Sequence, residues 1–566
     1  MKNRRYIDGI IVIFIVLFGV FSLILLSPPK PVPSSAPLNL FSSERAMSHI
    51  NATCNTPHWI GTEANRKVRD TIIAESKKLG LDTEIQTATV LDDKDYHFIA
   101  RVENVIAILK GTKPGKGVMI AGHYDSQPNT PAATDDGSAV AAMLETARAL
   151  KNAPPLKNDI IFLFTDGEEI GMAGARAFVE QHRLAKNIGI VFNLEARGNR
   201  GPSFTFEVSS GNGYIMSEYA KAIPYPFASS VMYEVYKQLP NNTDFTIFKR
   251  GGIPGFNAAP IDGFVNYHNM TDNPQNLDKS LLQHQGSYAL NFARHFGNLD
   301  LDKKSETDEV YFNPIGSLFI HYPGSLNFLF VIIVFVLFII YFILGIWQKR
   351  LTFKGTIGGF FIYLGSIAVL CGLTWGIQTA IKALYPLYSH YYANNFYNIH
   401  YYFLLFTLLT AGLFSLLYFL LFRKLKPENL FSGVITLFII IMGAVYVKMP
   451  TAAFLVMYPL FFVLVAGIIS FFCDFSEIRK YNIYAIIQML AVLPAVALFS
   501  PMAKMLYAAF GLQMAFAGTA LVLILLGFLV LQLKTAFDFN KYALPVLLLL
   551  GAVGAFISGH ITSRPN

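Results

Sequence analysis

The chain has 566 residues, of which 53% are hydrophobic, 14% aromatic and only 14% charged, with a formal net charge of +8. It is far longer than one domain needs, and its composition is split: most acids fall before about residue 300, whereas the chain beyond Leu326 is overwhelmingly apolar and aromatic. No basic stripe with interleaved aromatics accompanies the positive charge, which excludes a nucleic-acid partner as the simple reading. Of the three cysteines only Cys54 lies in the polar half, so no structural disulfide is expected there.

The basic start Met1–Arg5 is followed by an apolar run, Ile10–Leu26. The run is long for a signal peptide and Ser27-Pro28-Pro29 is a poor cleavage site, so an uncleaved anchor with a cytoplasmic N-terminus is favoured over a cleaved leader. Lys30–Pro37 reads as a proline-rich spacer. An amphipathic helix is predicted over Glu63–Leu79, with Val68, Ile72, Ile73 and Leu79 facing a core. Strands are predicted at Thr83–Thr89, Ile99–Leu109 and Gly117–Ala121. A helix over Gly137–Leu150 then places Ala139, Val140, Met143, Leu144, Ala147 and Leu150 at helical spacing. The pattern continues with strand Asp159–Phe164, helix Ala173–His182, strand Ile190–Leu194, strand Ser203–Val208 and helix Tyr214–Ala222. Strand Gly252–Phe256 and an amphipathic helix, Leu277–Phe296, close the domain. This is an α/β pattern.

Polar clusters sit where the strand patterns end. His123-Tyr124-Asp125 follows the first apolar run, Thr134-Asp135-Asp136 opens the helix, and Thr165-Asp166-Gly167-Glu168-Glu169 follows the next strand. Ligands in open α/β sheets bind at the carboxyl ends of strands. Imidazole and carboxylate donors without a nearby thiolate suit a divalent ion such as zinc. In the pair Glu168-Glu169, neighbouring side chains point apart, so one can bind metal while the other acts on a water as general base. A lone acid would be read as a helix cap or loop decoration; three clusters closing consecutive elements argue against that. Downstream, Ile190–Leu194 ends in Glu195, and the polar loop Asn266–Asp272 carries His268.

These clusters resemble the M28 family of zinc peptidases, which includes aminopeptidases and a glutaminyl-cyclase branch. The family carries a His-x-Asp motif, a bridging Asp, a Glu-Glu pair, a later acid and a late His, and all five ligand positions are filled here in order. The resemblance covers roughly Pro57 to Phe296. It implies a mixed-sheet, three-layer αβα zinc-exopeptidase-like domain with two zinc ions. His123, Asp135 and Glu195 would hold one, Asp135, Glu169 and His268 the other, with Asp135 bridging. Glu168 would be the general base, and Asp125 would orient His123 through its second ring nitrogen. Glu195 departs from the family's usual Asp, which bears on metal spacing. Family members have a comparable acid before Phe and Gly-Ile-Pro near the substrate pocket, which makes Asp244 a substrate-binding candidate, with helix capping as the alternative. Arg197 is a second such candidate, with a surface salt bridge as its alternative. His58, His97 and His182 are read as surface histidines.

From Leu326 onward eight apolar stretches are counted: Leu326–Trp347, Gly355–Ala380, Tyr402–Phe422, Leu430–Val447, Ala452–Phe472, Ile483–Phe499, Ala515–Leu533 and Ala543–Ile557. Basic residues fall in alternate loops (Lys349, Arg350 and Lys354; Arg423, Lys424 and Lys426; Arg479 and Lys480; Lys534 and Lys541). The rule that positive loops stay inside puts those loops in the cytoplasm and the polar domain on the other side, as the N-terminal anchor independently does. The expected organisation is therefore a tail and anchor at 1–30, an extracytoplasmic peptidase domain at 38–300, and an all-α polytopic membrane domain at 320–566. The layout resembles membrane-bound ER and vacuolar members of the family and also fits a bacterial inner-membrane protein facing the periplasm. Tyr385–Tyr402 reads as an interfacial aromatic belt. The membrane half fits anchoring, homo-oligomerisation or substrate presentation.

The expectation is a membrane-anchored di-zinc aminopeptidase acting on peptides. A glutaminyl-cyclase-like transferase is the first rival, weakened because Trp59 is the only Trp in the polar half. A non-catalytic scaffold is the second, weakened because neither Glu168 nor any ligand is missing.

Overall fold

The computed structural model describes residues 2–113, 115–391, 396–473 and 478–563. It divides into two compact units: Ser27–Asn313 with Ser317–Pro323, and Met1–Leu26 with Pro314–Gly316 and Gly324–Asn566. In chain order the first helix, α1 (Lys2–Ile24), belongs to the second of these.

The α/β unit runs α2 (Ser43–Thr53), α3 (Glu63–Lys78), β1 (Asp82–Asp92), β2 (Phe98–Leu109), β3 (Gly117–His123), α4 (Gly137–Lys151), β4 (Ile160–Thr165) and α5 (Ala173–Gln181). It continues with β5 (Ile188–Leu194), β6 (Arg200–Val208), α6 (Gly213–Ala222), α7 (Ser230–Tyr236), α8 (Asp244–Arg250), β7 (Gly255–Asp262) and α9 (Lys279–Phe296). The hairpin β8 (Glu309–Ile315) and β9 (Leu318–Pro323) follows. The seven-stranded sheet has the order β1-β2-β4-β3-β5-β7-β6. β4, β3, β5 and β7 are parallel, β2 and β6 run antiparallel to them at the two sides, and β1 pairs antiparallel with β2 at the edge.

The central strands are continuous apolar runs, and every residue of β3, β4 and β5 is buried, as parallel strands covered on both faces require. Alternate side chains supply two cores. Val118 and Ile120 join Phe162, Phe164 and Phe192 in one, with α4 and α9; Met119 and Ala121 join Ile161, Leu163 and Val191 in the other, with α5 and α8. That is a helix–sheet–helix layering. Register brings His123 opposite Thr165 and Ala121 opposite Asn193, so β3, β4 and β5 end together.

Three elements were not expected from pattern: α2, α7 and the β8–β9 hairpin. α2 starts on a real cap, Ser42 Oγ accepting the Arg45 N–H at 3.3 Å. Just before α2, Phe41 seats its ring against Gly286 of α9, where a Cβ would meet the ring at 2.0 Å. Val68 and Ile72 are buried, and Ile73 and Leu79 pack against the same core. His58, read as a surface residue, is buried: its backbone N–H donates to Ser126 Oγ at 2.7 Å and its Nδ1 lies 2.9 Å from the Thr56 carbonyl. Cys54 is a buried free thiol.

The second unit contains α1 and α10 (Leu326–Trp347), α11 (Phe353–Leu384), α12 (Ile399–Leu421), α13 (Pro427–Lys448) and α14 (Phe454–Phe471). It ends with α15 (Ile478–Phe510), α16 (Ala515–Phe528), α17 (Val530–Phe539) and α18 (Ala543–Ser563). Among the described residues, eight helical runs, α1 included, are long and apolar enough to cross a bilayer. The boundaries differ from expectation in one region. The expected stretches Ile483–Phe499 and Ala515–Leu533 lie in a region whose apolar run spans Tyr481–Phe528, and the latter is split at Leu529 between α16 and α17. α15 continues through Pro494 and Pro501, which helices packed among other helices tolerate. Interhelical hydrogen bonds tie the bundle: Thr356 Oγ1 to Ser432 Oγ at 3.2 Å, Tyr363 Oη to the Leu523 carbonyl at 2.8 Å, and Tyr481 Oη to Asp8 Oδ1 at 2.6 Å. The side chains of 2–5, 479 and 480, and residues 392–395 of the aromatic loop, lie outside the described residues.

Candidate metal centre

His123, Glu168, Glu169 and Glu195 stand at or just after the ends of β3, β4 and β5, whereas Asp135 and His268 come from turns between elements. His123 is the last residue of β3, and its backbone N–H donates to Asp136 Oδ2 at 3.2 Å. Thr165 ends β4, after which Gly167 takes φ +71° and turns the chain into the glutamate pair. Glu195 follows β5, with its N–H on the Ala258 carbonyl of β7 at 2.9 Å. His268 adopts φ +52°, a left-handed conformation that costs a non-glycine residue ~1 kcal/mol or more. Its ring stacks on Tyr267 at 3.8 Å between centroids.

Two groups of donors converge. His123, Asp135 and Glu195 offer ligand atoms all within 4.8 Å of one another, and so do Asp135, Glu169 and His268. Asp135 is common to both. Its Oδ1 lies 3.3 Å from His123 Nε2 and its Oδ2 3.2 Å from His268 Nε2, so each oxygen addresses a different histidine. Glu169 Oε1 lies 3.3 Å from His268 Nε2, while Gln127 Nε2 donates to Glu169 Oε2 at 2.9 Å. Asn193 Nδ2 donates to Glu195 Oε1 at 3.2 Å.

Asp125 has a wider reach than expected. His123 Nδ1 lies 3.0 Å from the Asp125 main-chain carbonyl and 3.4 Å from its Oδ1. The Asp125 carboxylate is chiefly engaged elsewhere: Oδ1 accepts the Glu168 N–H at 3.0 Å and Oδ2 the Glu169 N–H at 3.2 Å. One carboxylate thus holds the β3 end to the glutamate turn. Asp166 makes a further tie, accepting the Glu103 N–H at 3.0 Å and Asn65 Nδ2 at 3.2 Å.

Buried carboxylates crowd around the two imidazoles, and protons or a cation can balance them. The Asp125 carbonyl can only accept, so a neutral His123 carries its proton on Nδ1 and turns a lone pair on Nε2 toward Asp135. Two acceptors 3.3 Å apart are matched by a proton or by a metal ion between them. Burial and then the charges of Asp135 and Asp244 push Glu195 up to about 8. Burial, then Glu195 and Glu169, raise Glu168 well above the ordinary glutamate value. Burial lowers His268, but its contacts with Asp135 and Glu169 outweigh that and carry it up to about 10. Two imidazoles among several buried carboxylates form a donor set that fits a divalent ion of zinc's character.

The two substrate-site candidates lie as follows. Asp244 is the first residue of α8 and is buried, with Thr165 Oγ1 donating to its Oδ2. The helix start is closed instead by Thr243, whose N–H donates to Thr246 Oγ1 at 3.2 Å, so capping does not account for Asp244. Burial pushes its carboxyl up to about 6. Arg197 holds its guanidinium 4.7 Å from the centre of the Phe264 ring. Pattern reading missed Gln127, Asn193 and Asp136, which touch the candidate ligands; their only local signal is polar identity within or beside the motif clusters.

An α/β sheet with histidines and acids gathered around its strand ends has the donor set of a metal-binding domain. Residues 104–293 match the family model described as Peptidase family M28, and the chain carries an M28 peptidase domain. It is 32% identical over 235 residues to "Endoplasmic reticulum metallopeptidase 1" of Mus musculus, covering 40% of this chain and 26% of that protein. It is 27% identical over 359 residues to "Vacuolar membrane protease" of Yarrowia lipolytica, covering 58% and 35% respectively. The chain thus spans well under half the length of these relatives. Among solved structures, the glutaminyl cyclase of Porphyromonas gingivalis aligns with TM-score 0.38 and 21% identity over 45% of this chain and 98% of that one. The zinc aminopeptidase of Bacillus subtilis aligns with TM-score 0.38 and 17% identity over 48% and 98%.

Proposed function

We propose that this protein is a membrane-anchored di-zinc exopeptidase that removes N-terminal residues from peptides on the extracytoplasmic side. The observation that carries the reading is Asp135 standing in both donor groups, with one oxygen toward each histidine. His123, Asp135 and Glu195 would hold one zinc ion, and Asp135, Glu169 and His268 the other. Bound zinc supplies Lewis acidity, polarising a scissile carbonyl and lowering the pKa of a water toward ~7.

Everything else is the work of the chain's own side chains. Glu168 takes the proton of the attacking water and passes it to the leaving amine. Asp125 fixes the turn so that Glu168 and Glu169 point to different tasks. The excess of buried carboxylates, Asp244 among them, favours a substrate that brings a positive charge, and a free α-amine does so. That preference supports aminopeptidase over carboxypeptidase selectivity. The alternation of basic loops supports the extracytoplasmic orientation.

The test is release of free amino acid from matched unblocked and N-acetylated peptides by the detergent-purified full chain, with zinc and with chelator. Chelator-sensitive cleavage of unblocked peptides alone is the expected result. Equal cleavage of both would overturn the N-terminal selectivity, and cyclisation of N-terminal Gln without hydrolysis would give the site to the transferase rival.

A further inference from the structure

The loop that delivers His268 does not finish its task at the histidine. Four residues on, Asp272 is buried and turned back onto the segment that leads into Asp135. Its Oδ1 accepts the Thr134 N–H at 2.9 Å and its Oδ2 the Asp135 N–H at 3.1 Å. Its main-chain carbonyl accepts the Ala133 N–H at 3.1 Å, and Asn129 Nδ2 donates to the His268 carbonyl at 3.0 Å. These bonds join two irregular segments, 129–136 and 268–272, that no strand ladder or helix holds. A carboxylate accepting backbone N–H groups makes charge-assisted bonds, stronger than neutral ones.

The consequence is unequal for the two donor groups. His123 and Glu195 stand at the ends of β3 and β5, within the central sheet, and keep their places without the clamp. Asp135 and His268 come from the two irregular segments, and their separation is set by what ties those segments together. We infer that Asp272 is a positioning residue that fixes His268 against Asp135 and so sets the zinc affinity of the Asp135–Glu169–His268 position more strongly than that of the His123–Asp135–Glu195 position. This rests on the di-zinc reading above. It gives Asp272 no contact with substrate and no proton to move.

The experiment is zinc titration of the full chain, stripped of metal in detergent, against a chromophoric competitor that resolves two sites. Thermal unfolding is measured with and without zinc. Wild type, Asp272→Asn and Asn129→Ala are compared. In Asp272→Asn one of the two N–H groups faces an amide instead of a carboxylate oxygen. The affinity of one of the two sites is expected to fall about ten- to hundredfold, as changes behind metal ligands do, with the other far less affected. The zinc-dependent rise in Tm shrinks accordingly. Asn129→Ala, at an exposed position, is expected to weaken the same site by a smaller factor. A merely structural Asp272 would lower the Tm of the metal-free protein and leave both affinities unchanged, and that result overturns the inference. If Asp272→Asn does not fold, two unchanged affinities in Asn129→Ala overturn it. Failure of wild type to bind a second zinc overturns the di-zinc reading, and the inference with it.

Discussion

The Asp125 carboxylate accepts the Glu168 backbone N–H at 3.0 Å, which binds the glutamate turn after β4 to the end of β3. The same carboxylate takes the Glu169 N–H. Position 125 therefore governs where Glu168, the proposed proton acceptor, stands as well as how His123 is held.

Asp125→Asn keeps the shape but offers an amide to one of those N–H groups. The expected outcome is retained zinc with kcat lowered about ten- to hundredfold and KM little changed. Steady-state kinetics beside zinc analysis checks it. Unchanged kcat would show that the turn holds itself.

Asp135 is the one side chain that belongs to both donor groups. Asp135→Asn should therefore empty both positions together and abolish turnover, whereas Glu195→Gln and Glu169→Gln should each weaken one. Metal analysis after dialysis reads this directly. Loss of a single ion from Asp135→Asn would mean that it does not bridge.

His284 gives the α/β unit an acid limit. Its Nδ1 accepts the Ser203 N–H at 3.0 Å, and its Nε2–H faces the Tyr225 carbonyl at 2.9 Å, so the buried ring must be neutral. Burial pulls its pKa from 6.5 to about 4, against a smaller upward pull from Tyr225. The unfolded chain binds this proton more readily than the folded one. The stability contribution is therefore complete above pH 6.5 and is lost as pH falls toward 4. At 1.36 kcal/mol per pH unit the loss is ~3 kcal/mol at most. Thermal scans at pH 7 and 4.5 should show a smaller drop in Tm for His284→Gln, which can still accept from Ser203 and donate to Tyr225. Equal drops would remove His284 as the cause.

The Phe41 ring occupies the notch over Gly286. Phe41→Ala should cost about 3–5 kcal/mol as a buried aromatic truncation. Gly286→Ala should cost about 1–3 kcal/mol by overpacking, since the ring has to move. Denaturation of the two variants checks the order, and a neutral Phe41→Ala would show that the segment before α2 is not anchored there.

How much could be read in advance differs from element to element. β3, β4 and β5 announce themselves because strands buried on both faces are apolar without interruption, and the candidate donors sit at their ends. α2 and α7 do not: SERAMSHINAT is mixed in polarity, and SVMYEVY carries residues that suit a strand equally well, so tertiary packing decides both. The burial of His58 and the reach of Asp272 depend on partners 68 and about 137 residues away, which no local spacing encodes. Leu529 divides an unbroken apolar run without a proline or charge to mark the place.

The most direct measurement is Glu168→Gln in the detergent-purified full chain, assayed on an unblocked peptide alongside its zinc content. A zinc content equal to wild type, with amino-acid release lowered at least about a hundredfold, is the predicted result, because general-base catalysis contributes about 10²–10⁴ in rate. Wild-type turnover by the zinc-loaded variant would contradict the account, since no base would then be needed at the position on which it centres.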